Sequence, residues 1–317
     1  MCTYNGEKYI SEQMESIINQ TYPVYELIIQ DDRSTDETWT ILQQYANKYP
    51  YIHIFQNEQQ KGVNNNFFSA MERATGDYIA IADQDDIWKL YKIERQIAFA
   101  DDFWLVSGFS EPFVGEEKAK VHFDQRVPNL GLERIIHTIV LPGHNLLFRK
   151  DLLTTKPDYR IYFQCFAYDH LITLKAAAQE SVLFIPEVLV EHRRHLQALS
   201  YVDPYDYNKN AGNLFRAIRR TSKSFLRLRK RIQNHFVNVQ SFLESIPLET
   251  QSKRNALKIT RYQQWQNTFL SVLFLSFVYV RFRDKIFYAP EKNRILAVLR
   301  AFYFPISCSD YFNFERQ

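Results

Sequence analysis

The sequence predicts an α/β fold, a mostly parallel sheet flanked by helices, followed by a helical C-terminal region. Two observations carry the first part. Helix and strand signals alternate through the first 100 residues, and two short apolar runs each end in a cluster of aspartates. Alternation at that rhythm implies parallel strands joined by crossover helices. The third observation is a change of character after residue 203, which divides the chain into 1–203 and 204–317.

The elements follow in order. Ile10, Met14, Ile17 and Ile18 recur at helical spacing, with Pro23 soon after the predicted end. "ELIIQDD" is a continuous apolar run closing on acids, the pattern of a parallel strand buried on both faces. Ser34 and Glu37 of "STDE" predict a capping box ahead of a second helix carrying Trp39, Leu42 and Ala46. "YIHIFQN" reads as a third strand, "NNNFFSAMERAT" as a third helix stopping at Gly76, and "DYIAIAD" as the next strand. Further on, "LPGHNLLFRKDLL" predicts a loop, a strand and a helix, and "YDHLITLKAAA" a helix with Asp169 near its start. "SVLFIPEVLVEHRRH" predicts two short strands around Pro186 and then a basic loop. Between Tyr207 and Leu243 there is no acid, while basic residues from Lys209 to Arg231 accumulate over a stripe of Phe215, Ile218, Ser222, Phe225, Ile232 and Phe236. The tail stays aromatic and helical to the end.

Composition narrows the class. Hydrophobic residues make up 46% and charged residues 24%, which is globular, and the aromatic content of 15% is high. A net charge of +3 gives no case for a nucleic-acid partner. Cys2, Cys165 and Cys308 are widely spaced and outside any CxxC, which excludes a zinc ribbon and points to a reducing, cytoplasmic compartment. No signal peptide is read after Met1. The longest apolar run, Phe269 to Val280, is interrupted by Ser271 and Ser276 and falls short of the ~20 residues a spanning helix needs.

In a parallel α/β sheet, ligands sit at the carboxyl ends of the strands. Both acidic clusters, "QDD" at 30–32 and "DQDD" at 83–86, follow strand signals and so converge on one edge. Residues two apart on an extended strand point the same way, which lets Asp83 and Asp85 face one ligand. Hard cations such as Mg²⁺ or Mn²⁺ take oxygen ligands and bridge carboxylates to phosphates. Asp-x-Asp alone is more often a solvated turn with a helix cap at Asp86.

"CTYNGEKYISEQMESIINQTY", "LIIQDDRSTDET", "NEQQKGVNNNFFSAMERATGDYIAIADQDDIW" and "YDHLI" occur in that order. Together they resemble the family-2 glycosyltransferases, inverting enzymes of the Rossmann-like GT-A fold that move a sugar from a nucleotide diphosphate. "QDDIW" with the later "YDH" looks most like the branch containing bacterial rhamnosyltransferases and cell-surface polysaccharide enzymes. The resemblance covers residues 2–100 most fully, extends to about 200 and ends there.

That resemblance implies roles. Thr3, Tyr4 and Asn5 would line the nucleotide pocket, Asp31 and Asp32 would hold the base or ribose, and Lys61 and Asn66 would add contacts. Asp83 would face the ribose, Asp85 the metal, a Mn²⁺ or Mg²⁺ ion. Asp169 would be the general base, His195 would complete the metal site, and Arg194 would reach the diphosphate. His144 and Trp88 would shape the acceptor pocket. Each has a plainer reading: Asp169 as a helix N-terminal acid, "EHRRH" as a surface loop, His144 as a structural histidine, Trp88 as core.

The resemblance implies a UDP- or dTDP-sugar donor, dTDP-rhamnose among them, and a glycan or lipid-linked acceptor. The basic helix could then meet the inner face of the cell membrane, or simply be solvated. In the family the first strand precedes "TYN" by several apolar residues, where this sequence has Met1 and Cys2; a late start, a trimmed chain and a partly lost strand all account for that. The acid pair usual before the base helix is reduced to Tyr168–Asp169. Two rival classes stand beside the transferase: a non-catalytic nucleotide-sugar-binding or membrane-associated scaffold, and a metal-dependent phosphoryl hydrolase.

Overall fold

The computed structural model describes residues 1–115, 121–155, 158–196 and 214–312. The first strands and helices are β1 (Cys2–Thr3), α1 (Ile10–Ile18), β2 (Leu27–Asp31), α2 (Thr38–Lys48), β3 (Ile52–Gln56) and α3 (Val63–Arg73). β1, β2 and β3 pair in parallel in that order, so the alternation read from the sequence builds the crossovers expected of it. Ile10, Met14 and Ile17 are buried, the inner stripe of α1. The capping box does not form. Ser34 Oγ donates instead to Asp31 Oδ1 at 2.6 Å, and Asp36 Oδ1 accepts from Thr38 N at 3.0 Å. A buried carboxylate at a strand end is the stronger acceptor for the hydroxyl.

β4 (Tyr78–Ala80) belongs to a second sheet, which is five-stranded and mixed. Its order is β4-β7-β6-β8-β5, with β5 (Ile87–Trp88), β6 (Leu105–Val114), β7 (Leu147–Arg149) and β8 (Val182–Arg194). β6 and β8 run parallel, whereas β4–β7, β6–β7 and β5–β8 are antiparallel. Pro186 does not split β8 into two strands. It sits where the register against β6 slips, between the pairs Gly108–Ile185 and Phe109–Val188, and the bulge absorbs its missing N–H. The predicted basic loop is therefore strand, with His192, Arg193 and Arg194 as the last residues of β8.

Between β2, β4 and α3 lies a cavity of about 500 Å³, lined by Met1, Ile28, Ala70, Met71, Ile79 and Ala80 among others. The Met1 amino group donates to Ile28 O at 2.8 Å, and burial lowers its pKa.

Four short or medium helices follow: α4 (Lys92–Ile97), α5 (Leu132–Ile135), α6 (Asp151–Thr154) and α7 (Tyr168–Ala178). The C-terminal helices are α8 (Leu214–Ser245), α9 (Gln251–Gln263), α10 (Thr268–Arg281), α11 (Arg283–Ile286) and α12 (Arg294–Ser307). They share one hydrophobic cluster with the sheet domain: Phe67, Leu171 and Phe148 sit in it with Phe236, Tyr279 and Phe304. Polar bonds cross the same seam. His137 Nε2 lies 2.7 Å from Tyr279 Oη, Arg134 donates to Ile286 O at 3.1 Å, and the buried Glu133 accepts from Ser252 and Asn255, each at 2.7 Å.

Part of the stripe beneath the basic residues of α8 is core: Phe225, Ile232 and Phe236 are buried, so these three do not face lipid, whereas Ile218 is exposed. Lys209 lies outside the described residues. Among the described residues no helix is long and apolar enough to cross a membrane.

Candidate active site

The aspartates of "DQDD" follow β4 and lead into β5. One carboxylate oxygen each from Asp83, Asp85 and Asp86 falls within 4.8 Å of the others. Three carboxylates this close repel one another unless positive charge answers them. Part of the answer is imidazole. His195 Nε2 lies 2.8 Å from Asp85 Oδ2, and His192 Nδ1 lies 2.9 Å from Asp86 Oδ1. His144 Nδ1 stands 3.4 Å from both Asp83 and Asp86 and stacks on His192 at 4.6 Å between centroids. Burial alone would lower the pKa of His144, but Asp86 and Asp83 outweigh it and raise the pKa.

The alternation of β8 distributes these groups. His192 and Arg194 are two apart, share a face, and bond to each other at 3.0 Å. Arg193 and His195 take the other face, where both meet the Tyr9 ring, at 4.5 and 5.1 Å. Arg193 also donates to Asp85 O at 2.9 Å and reaches Glu12 on α1, so it fixes the loop that carries the acids. Arg194 lines a cleft of about 290 Å³ together with His192, Ser110 and Phe109.

The acids fit a hard divalent cation. Their donors are carboxylate oxygens, and Asp86 Oδ2 is buried with no hydrogen bond, its nearest cationic neighbour being His144 Nδ1 at 3.4 Å. Asp85 and His195 offer an oxygen and a nitrogen side by side, which suits Mn²⁺ as well as Mg²⁺.

The nucleotide residues read from the sequence cluster beside these acids. Thr3 Oγ1 donates to Asp31 at 2.8 Å. Tyr4 is exposed and clamped through its backbone by Gln84, which accepts from Tyr4 N at 2.8 Å and donates to Tyr4 O at 3.0 Å. Asn5 adopts a left-handed φ of 48° and accepts from Thr35 N at 2.8 Å. Asp31 and Asp32 are buried. Asp32 accepts from Asn57 at 2.7 Å and from the backbone N–H groups of Lys61 and Gly62 at 2.7 and 2.9 Å. Asn66, also buried, accepts from the same Asn57 at 2.8 Å and donates to Gln30 O at 2.8 Å. Asp31, Asp32 and Asn66 thus spend much of their bonding on the loops, and Lys61 contributes to this network through its backbone.

Asp169 opens α7 and accepts from His170 N at 2.8 Å. Its neighbour Tyr168 is packed in place: the ring stacks on Phe67 at 4.1 Å and the hydroxyl lies close to Gly143. Burial first, then Asp83, Asp169 and Asp86, raise the Tyr168 pKa. Trp88 is elsewhere. It is buried in the second core cluster with the Lys92 ammonium 4.1 Å over its ring, because β5 turns that side chain inward. His144 stays with the acids and bonds Ser110 at 2.8 Å.

Sequence reasoning passed over His192, Arg193 and Gln84. The period-two alternation of "EHRRH" was the available signal for the first two, once the segment is taken as strand. Gln84 carried none beyond its place inside "DQDD".

Residues 1–155 match the model of glycosyl transferase family 2. TuaG of Bacillus subtilis, provisionally named a teichuronic acid biosynthesis glycosyltransferase, is 42% identical over 97 residues, 31% of this chain and 38% of that protein. An uncharacterized glycosyltransferase of Haemophilus influenzae is 25% identical over 284 residues, 84% of each chain. WfaP of Escherichia coli, a UDP-Glc:alpha-D-GlcNAc-diphosphoundecaprenol beta-1,3-glucosyltransferase, is 34% identical over 117 residues, 37% of this chain and 46% of that one. The matches to TuaG and WfaP thus span less than half of those proteins.

Among solved structures, S. aureus TarS 1-349 in complex with UDP-GlcNAc superposes with a TM-score of 0.57 at 20% identity, covering 98% of this chain and 87% of that one. The mannosyltransferase PcManGT of Pyrobaculum calidifontis, in complex with GDP-Man and Mn²⁺, gives 0.52 at 17%, covering 98% and 82%. At those identities the likeness is one of fold. Residues 1–155, just under half of the chain, are thus similar to glycosyl transferase family 2, and the whole chain shares the GT-A fold of these solved structures.

Proposed function

We propose that this chain is an inverting, metal-dependent glycosyltransferase that moves a sugar from a nucleoside diphosphate to a hydroxyl of a bacterial surface glycan or lipid-linked acceptor. The observation that carries the reading is the carboxylate cluster Asp83, Asp85 and Asp86 with His195 on Asp85. The names of the relatives favour the acceptor class, and UDP in the TarS complexes and UDP-Glc in the name of WfaP favour uridine over thymidine in the donor. Work at the inner face of the membrane follows from a lipid-linked acceptor.

Asp85 and His195 would hold the cation, with Asp83 and Asp86 beside it. A divalent cation supplies neutralisation of the charge on the departing diphosphate. Arg194, held by His192, offers a further positive contact to that group. Asp169 takes the proton of the acceptor hydroxyl as its oxygen attacks the anomeric carbon. The new C–O bond forms as the bond to the diphosphate oxygen breaks on the opposite face, which inverts the centre. The His170 N–H donates to the Asp169 carboxylate, and the start of α7 points its positive dipole end at it.

Calorimetric titration of UDP and dTDP, each with and without Mn²⁺, into wild type and Asp85→Ala tests the donor site. Metal-dependent UDP binding that the substitution abolishes is the expected result. No binding of either nucleotide by folded wild type would remove the assignment. Binding without turnover would favour a scaffold, and phosphate release without acceptor a hydrolase.

A further inference from the structure

We propose that the outward face shared by α10 and α12 is a docking surface for an anionic lipid bilayer. It supplies the physical surface for the membrane contact proposed above and rests on that reading for its partner. α10 sets Leu270, Phe274 and Phe277 at spacings of four and three, and α12 repeats the spacing with Ile295, Leu299 and Phe302. The opposite faces are buried, through Leu275 and Tyr279 on α10 and Ala297, Ala301 and Phe304 on α12. The two outward faces adjoin. The Phe277 and Phe302 rings stand 6.4 Å apart, and Ser276 Oγ donates to Phe302 O at 2.7 Å.

These side chains are open to solvent: Phe277 is 63% exposed, Ile295 75%, Leu299 62% and Phe302 50%. Single exposed apolar residues are ordinary, but a contiguous ridge of them on two packed helices marks an interaction surface. Trp265 packs against Phe274 at 5.3 Å and Tyr262 at 4.9 Å at the end of the ridge. Rings with a polar tip belong at a water–lipid boundary.

Charge selects the occupant. α8 lies against both helices: Tyr303 Oη donates to Ile218 O at 3.2 Å, and Arg229 donates to Ser271 Oγ at 2.8 Å. Its solvent side carries Arg219, Arg220, Lys223, Arg227, Lys230 and Arg231, all exposed. The one acid of α8 is Glu244 near its end, and α10 and α12 contain none. A second copy that covered both the ridge and this basic row would bring two like-charged rows together, a repulsive arrangement. An anionic bilayer meets it with opposite charge, at a gain of about one kcal/mol, a fivefold change in partition, per basic residue near the surface. Neither helix can span: 14 residues reach about 21 Å, against a hydrocarbon core of about 30 Å. The helices lie in the interface instead.

Flotation of the full chain with phosphatidylcholine vesicles, with and without added phosphatidylglycerol, tests the surface. Wild type should float with the anionic vesicles and lose that on raising the salt. Phe277→Ser with Phe302→Ser should weaken partition at least tenfold, and Lys223→Gln about fivefold. Both variants should keep wild-type UDP affinity with Mn²⁺, which separates failure of this surface from failure of the donor site. Wild type that stays unbound at low salt would overturn the proposal, as would a double variant that floats like wild type. Light scattering that shows the Phe substitutions splitting a dimer would assign the ridge to a second copy and overturn it equally.

Discussion

Lys92 lies wholly buried beneath the acidic loop, its ammonium against the Trp88 ring and 2.7 Å from Gln96 Oε1. No carboxylate pairs with it among the described bonds, and burial brings its pKa from 10.5 down to about 7. Between those two values the unfolded chain carries a proton that the folded chain does not. Stability therefore falls as pH drops from 10.5 to about 7 and levels off below. The charge costs the fold about 4 kcal/mol at pH 7 and about 1 kcal/mol near pH 9.5. Lys92→Met removes that cost but strands Gln96 Oε1, a loss of about 1–3 kcal/mol at any pH. The variant should be more stable than wild type by about 2 kcal/mol at pH 7 and less stable by about 1 kcal/mol near pH 9.5, a swing of about 3 kcal/mol. Urea denaturation of both proteins at the two pH values reads this directly, since other alkaline titrations cancel in the difference. A difference that stays constant would refute the argument, because it would mean Lys92 is not held neutral by burial.

Other expectations follow from the same structure. His137 is buried with its pKa lowered to about 3 by burial first and His235 second, so stability is lost as pH falls from 6.5 toward 3. His137→Phe should move the acid-unfolding midpoint to lower pH; an unchanged midpoint contradicts this. Gly143→Ala would drive a methyl into the Tyr168 hydroxyl beside Asp169 and His144, and sugar transfer should drop at least tenfold while UDP affinity changes little. Equal loss of both would show a general folding defect. Ala70→Leu fills part of the cavity between β2, β4 and α3 and should raise stability by about 1 kcal/mol in urea denaturation, whereas a loss would mean that the cavity walls do not admit the side chain.

The helices around the first sheet were legible because their apolar residues keep one period. Ile10, Met14 and Ile17 mark the inner face of α1 without reference to anything distant. The acidic loop was legible for a similar reason, since adjacent residues on one strand end must lie near one another. What failed depended on partners far along the chain. Ser34 was read as a cap because Asp31 was not counted as a competing acceptor. Pro186 was read as a break because the bulge that absorbs it lies in the pairing with β6. His192 bonds Asp86, which lies in a loop 106 positions earlier. The chemistry of Trp88 suits a sugar face and a core equally, and the direction in which β5 turns it is a property of the sheet.

The family match ends at residue 155, yet no seam in the packing falls there. Phe166 and Leu171 touch the same apolar body as Phe236 and Phe304, and Glu133 spends its buried carboxylate on Ser252 and Asn255. A chimaera that joins the N-terminal half of one relative to the helices of another would strand that carboxylate. Grafting would have to carry Glu133, Arg134 and His137 together with their partners beyond residue 250.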